Sequence, residues 1–222
     1  GGSILEWVRL DPKWKPRPIV VLADVSGSME KYTEMLIYFL LSLSTNLKFV
    51  EAFVFSTQLT RITPHLHIAD IDKSLQDISR SVPDWSGGTR IGEAIKTFNY
   101  RWSRRILNHG AIVMVISDGW DRGEPELLTK EIARLQRSCH RLIWLNPLLG
   151  IQAYEPLTRG IQAALRFIDD FLPVHNLSSL EKLESHLRTL PTSRAFRSQQ
   201  HLGTIRQEGS PRSTSSLENR PA

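Results

Sequence analysis

The sequence predicts an α/β protein with a mostly parallel, doubly wound sheet and helices on both faces. Three observations carry this reading. Strand-length apolar runs alternate with helix-period stretches through most of the chain. The run Pro18-Ile19-Val20-Val21-Leu22-Ala23 is apolar at every position, as a strand buried on both faces must be. That run ends in Asp24-Val25-Ser26-Gly27-Ser28 directly before a helix pattern. In open α/β sheets this junction is where ligands gather.

The elements follow in order. Residues 18–24 are the first strand. A helix over about 30–44 carries Met35, Leu36, Phe39, Leu40 and Leu43 at helical spacing. Phe49 to Phe55 is the second strand and Gln58 to Thr63 the third, and the short turn between them makes an antiparallel hairpin at a sheet edge. Asp70 to Val82 reads as a helix with Ile71, Leu75 and Ile78 inward, and residues 83–89 as a glycine-containing loop. Arg90 to Arg104 is a helix with Ile91, Ala94, Ile95 and Phe98 on one face, and Ala111 to Ser117 is an apolar strand ending at Asp118-Gly119. Glu124 to Ser138 is a helix with Pro125 in its first turn. Arg141 to Leu145 is a strand, 156–166 a weaker helix, Phe171 to Val174 a last strand, and Ser178 to Leu190 the closing helix.

Composition narrows the class. With 41% hydrophobic and 23% charged residues, the chain of 222 residues suits a folded domain with appendages, not a disordered chain. No apolar run approaches the roughly 20 residues of a membrane span. No signal-peptide pattern opens the sequence, and a start on Gly1 is expected of a fragment or of a processed tag. Residues 1–16 read as a basic, proline-rich lead-in, 17–190 as the domain, and 191–222 as a disordered basic tail. The single Cys139 fits a reducing, cytoplasmic setting and a small buried hydrophobe. The net charge of +5 invites nucleic acid, but the basic residues are dispersed and no recognition motif accompanies them.

Three loops hold short oxygen side chains: Asp24, Ser26 and Ser28; Thr89 after Gly87-Gly88; and Asp118. Taken singly, each is an ordinary turn or cap. Brought to one sheet edge, they form a hard-oxygen donor set suited to Mg²⁺, Mn²⁺ or Ca²⁺. The set resembles the metal-ion-dependent adhesion site of von Willebrand factor type A (VWA) domains, and all five residues match that motif. The resemblance implies a Rossmann-like sheet of order 3-2-1-4-5-6 with strand 3 antiparallel. It also implies an ion held by Ser26, Ser28 and Thr89, with Asp24 and Asp118 binding directly or through water.

Longer matches are visible. The stretch from Arg17 to Met29, Trp85-Ser-Gly-Gly-Thr-Arg-Ile-Gly, Ser117-Asp-Gly-Trp-Asp-Arg-Gly and Cys139-His-Arg-Leu-Ile-Trp-Leu-Asn-Pro-Leu resemble CoxE-like bacterial VWA proteins. That resemblance implies a protein-binding module acting with a MoxR-type AAA+ ATPase. The pair would mature a metalloenzyme such as a molybdenum-containing dehydrogenase, with a partner's acidic side chain completing the ion's coordination. Around the site, Trp85, Arg90, Trp120, Asp121 and Arg122 form a candidate partner rim. Each Trp either anchors a partner or packs under its own loop, and Asp121 either serves the rim or pairs with Arg122.

Rival chemistries lack their residues. A haloacid-dehalogenase-like phosphotransferase wants an acid where Ser26 stands. The nucleophile elbow Gly-x-Ser-x-Gly is absent, as is the P-loop, so any ATP hydrolysis belongs to a partner and the chain is expected not to be an enzyme. An extracellular adhesion role is disfavoured by the lone Cys. His65 and His67 read as a solvated edge, His109, His140 and His175 as isolated, and Trp144 as core.

Overall fold

The computed structural model describes residues 17–47, 49–66, 71–82, 88–150 and 155–176, together with 179, 182–183, 186–187 and 190. The expectations for residues 1–16, the 191–222 tail, His67 and Trp85 lie outside the described residues.

Six strands form one sheet in the order β3-β2-β1-β4-β5-β6. They are β1 (Ile19–Asp24), β2 (Val50–Phe55), β3 (Leu59–Arg61), β4 (Ile112–Ile116), β5 (Arg141–Asn146) and β6 (Asp170–Pro173). Every neighbouring pair is parallel except β2 and β3, so the expected order and the antiparallel edge hairpin are both present. β1 lies between β2 and β4, where the strand order reverses, and that is where a crevice opens at the carboxyl ends.

β1 shows no polar–apolar alternation because both of its faces are covered. Val21 and Ala23 join a core with Val54, Met114 and Ile116, closed by α1 (Glu30–Asn46) and α2 (Ile71–Ser81). Val20 and Leu22 join the opposite core with Phe53, Val115 and Trp144. This face is closed by α3 (Ile91–Arg101), α5 (Pro125–Ser138) and α6 (Arg159–Ala164), while α4 (Ser103–Ile106) is a short helix following α3. Fully burying a Val or Leu side chain stabilises by about 1.5–3 kcal/mol, so the two layers pin the register of β1 and fix where Asp24 lands.

Three boundaries differ from expectation. The 90–104 helix breaks at Trp102, whose φ of −122° is not helical. The indole turns inward, edge-on to Phe53 at 5.3 Å, and core packing overrides helix continuation. Strand 3 is three residues long, because the chain folds into a 3₁₀ turn at Thr63–His65. The weak helix is six residues long and passes into a 3₁₀ turn at Leu165–Phe167. Among the described residues of the closing stretch, 179, 182–183 and 186–187 are helical, with Leu183 buried in the β1–α1 core. No described helix is long and apolar enough to cross a membrane.

Candidate metal centre

Register builds the site. Ala23 pairs with Ile116, so Asp24 and Ser117 stand level at the carboxyl ends of β1 and β4. Asp24 is fully buried. One of its oxygens accepts the Ser26 backbone N–H at 2.9 Å, and the other accepts the Ser117 hydroxyl at 2.7 Å. The Ser117 Oγ in turn accepts the Gly119 N–H at 3.0 Å, and the Ser117 carbonyl accepts the Trp144 indole N–H at 2.9 Å. Trp144 is core as expected, and it also clamps the loop that carries Asp118.

The remaining donors come from three directions. The Ser26 and Ser28 hydroxyls lie 3.4 Å apart, one buried and one exposed. Thr89 is buried, and its carbonyl accepts the Arg122 N–H at 2.9 Å, which ties the second loop to the third. The next residue, Arg90, donates its N–H to the Ser56 carbonyl at the end of β2, at 2.9 Å. Asp118 is buried, and its Oδ1 accepts the Trp120 N–H at 3.0 Å. Gly119 has φ +80°, and a Cβ there would stand 2.3 Å from Ile161 Cγ1, so only glycine lets α6 close on this loop.

The electrostatics are unbalanced. Burial pushes the Asp24 carboxyl up to about 7, against the lowering effect of the Ser26 and Ser117 hydrogen bonds, and the nearby Asp118 charge raises it further. Among the described residues, no Lys, Arg or His lies within ion-pair distance of Asp24 or Asp118. The described residues also hold no cluster of three or more His, Cys, Asp or Glu side chains that could bind a metal. The five candidate residues offer two carboxylates and three hydroxyls, oxygen atoms only.

A cleft of about 780 Å³ opens above these donors. Trp120 is 63% exposed at its edge, so it does not pack under its own loop. Asp121 does not pair with Arg122. Its Oδ1 accepts the Ile91 and Gly123 N–H groups, both at 3.0 Å, and burial raises its carboxyl against those bonds and the Arg159 charge. Arg90 and Arg122 are exposed. Sequence reasoning missed Ser117, the second support of Asp24, and the far wall of the cleft at Glu155, Leu157, Thr158 and Arg159. The loop after β5 also reaches the carboxyl edge, and that topology was the available signal.

Residues 1–180 match the family described as VWA domain containing CoxE-like protein. No curated protein matches the chain. Among solved structures, the fold is similar to proximal thread matrix protein 1 from the mussel byssus, with TM-score 0.52 and 19% identity over 77% of this chain and 46% of that one. It is similar to an aerotolerance-related membrane protein from Bacteroides fragilis, with TM-score 0.51 and 16% identity over 78% of this chain and 100% of that one. It is also similar to the pilus adhesin SpaC from Lactobacillus rhamnosus GG, with TM-score 0.50 and 15% identity over 80% of this chain and 30% of that one. The chain thus spans 46% of the mussel protein's length, and at these identities the likeness is one of fold. The sheet order, the antiparallel edge strand and the family match over most of the chain agree: the protein belongs to the CoxE-like family of VWA domain proteins.

Proposed function

We propose that residues 17–190 form a metal-dependent protein-binding module, with Asp24, Ser26, Ser28, Thr89 and Asp118 holding a divalent cation, Mg²⁺ by preference. The observation that carries this reading is Asp24. It is a fully buried carboxylate beside a second buried carboxylate, with hydroxyl and amide dipoles but no cationic side chain as partners among the described residues. A buried charge is costly unless paired, and a hard cation pairs both carboxylates at once. The three hydroxyls are neutral, so they leave the ion with much of its charge. When bound, the ion offers an open coordination position to a partner's Asp or Glu side chain.

The chain's own residues do the rest. Ser117 and the Ser26 N–H orient Asp24, and the Trp120 N–H orients Asp118. Trp120 and Leu157, each 63% exposed at the cleft, supply apolar contact around the carboxylate. By family likeness the partner is a MoxR-type AAA+ ATPase or its metalloenzyme client, and the module acts in maturing that client without catalysis of its own.

The test is Mg²⁺-dependent association with the cognate ATPase, wild type beside Asp24→Ala and Thr89→Ala. Chelation and either substitution should each weaken binding by at least about 30-fold, the scale of an interface hot spot. Affinity indifferent to all three would overturn the reading.

A further inference from the structure

The cleft holds a cation that the metal reading does not use. Arg122 lies on its wall, and its side chain crosses the loop that carries Thr89. A Cβ added to Gly88 would stand 2.6 Å from Arg122 Cδ and 3.1 Å from Nε and Nη1. The glycine therefore provides the bed for the Arg122 side chain. The Arg122 N–H bonded to the Thr89 carbonyl fixes the same residue from its backbone side. The guanidinium is thus held next to a proposed metal ligand and open to the cleft.

The other charges around the cleft differ from Arg122. Arg159 acts on Asp121 through its charge and lowers that carboxyl's proton affinity, without forming an ion pair among the described residues. Glu155 lines the opposite wall and repels an incoming anion there. Arg90 is exposed but does not line the cleft. Among the described residues, no carboxylate lies within ion-pair distance of Arg122. Of the two cations among the described lining residues, Arg122 is thus the one seated beside Thr89, and Asp121 answers to the charge of Arg159 and not to that of Arg122.

We infer that Arg122 forms an anion subsite beside the metal position, so that the cleft takes a protein segment carrying two acidic side chains, one for the ion and one for the guanidinium. The first contact rests on the binding-module reading, while the second rests on Arg122 alone. A planar guanidinium binds a carboxylate by two parallel hydrogen bonds, which a point charge cannot copy. Glu155, on the lining as well, disfavours the second acid at its own position.

The experiment measures binding of blocked, fluorescent peptides to the full chain, with Mg²⁺ and with chelator. One peptide carries a single Glu among glycines; others carry two Glu, adjacent or one glycine apart. In Mg²⁺ the wild type should prefer a two-Glu peptide by about tenfold. Arg122→Gln should bring that ratio to about one, with the melting temperature of wild type, and Arg122→Lys should keep only part of it. A wild type without preference, a preference that survives Arg122→Gln, or no binding of any peptide at millimolar concentration overturns the subsite. If binding ignores Mg²⁺ while Arg122→Gln still removes the preference, the metal reading fails and the subsite stands.

Discussion

Asp24 ends the inner strand β1 and Asp170 opens the edge strand β6, and the fold treats the two carboxylates in opposite ways. Asp170 opens β6, where Arg141 of β5 grips both of its oxygens, Nη2 to Oδ1 at 2.7 Å and Nε to Oδ2. Burial works against that carboxylate, yet the hydrogen bonds and charges of Arg141 and His186 overcome it and hold the group at about 2. Asp24 closes β1 with only dipoles around it and Asp118 nearby, and burial lifts it to about 7. The difference is cationic partners, the Arg141 guanidinium first and the His186 ring second, beside a shallower burial. A carboxylate paired within the fold serves the fold, and one left to hydroxyls and amides is stabilised only by a cation from outside.

The largest expected effect tests that contrast directly. The folded Asp24 carboxyl sits above its ordinary value of 3.8, so the folded chain holds a proton that the unfolded chain releases. The stability this contributes is complete below 3.8 and is lost as pH climbs to about 7. Above that window, ionised Asp24 costs up to about 4 kcal/mol without metal. Urea unfolding of chelated protein should therefore show wild type losing stability between about pH 4 and 7 relative to Asp24→Asn. Saturating Mg²⁺ should reverse the ranking, stabilising wild type and leaving Asp24→Asn unmoved. Parallel pH profiles for the two chelated proteins would break the comparison.

The same contrast explains what the sequence made legible. The apolar run of β1 and the oxygen cluster that ends it are local signals. Topology then brings Asp24, Thr89 and Asp118 to one edge, so the placement of all five candidate residues was legible from the sequence. Ser117 was not, because its hydroxyl matters only through the register that sets it level with Asp24, 93 residues away in sequence. The Arg141–Asp170 pair was hidden for a like reason: the implied strand order makes β5 and β6 neighbours, but the last strand was expected to start at Phe171, and only the register brings Asp170 beside β5. Trp102 reads as one more residue of an amphipathic helix until Phe53 appears beside it. Pairings across strands and helices are products of the assembled core, and no window along the chain contains both partners.

The second effect is intermediate in size. Asp170 is held below its ordinary value, so its contribution is full above 3.8 and vanishes as pH falls toward about 2. Asp170→Asn should cost about 2 kcal/mol at neutral pH, with no response to Mg²⁺. A Mg²⁺-dependent loss at Asp170, or a gain in stability, would show that pairing does not separate the two carboxylates.

The smallest effect asks whether pairing or burial makes the difference. Glu51 and Arg61 form an ion pair at 2.8 Å between β2 and β3, with the same two-pronged geometry as Arg141 and Asp170. Their side chains are 29% and 30% exposed, against 11% for Asp170 and 17% for Arg141. Water screens the outer pair, and exposed ion pairs are worth about 0.2–1 kcal/mol. Glu51→Gln should therefore cost about 0.5 kcal/mol, and less still in about 0.5 M salt, where the screening length falls to a few ångströms. The Asp170→Asn loss should largely persist in that salt, because Arg141, its main partner, is shielded from the solvent ions. Equal losses from the two substitutions would mean that geometry alone sets the strength of a carboxylate–guanidinium pair. The Asp24 site would then have to be explained by its missing partner and not by its depth.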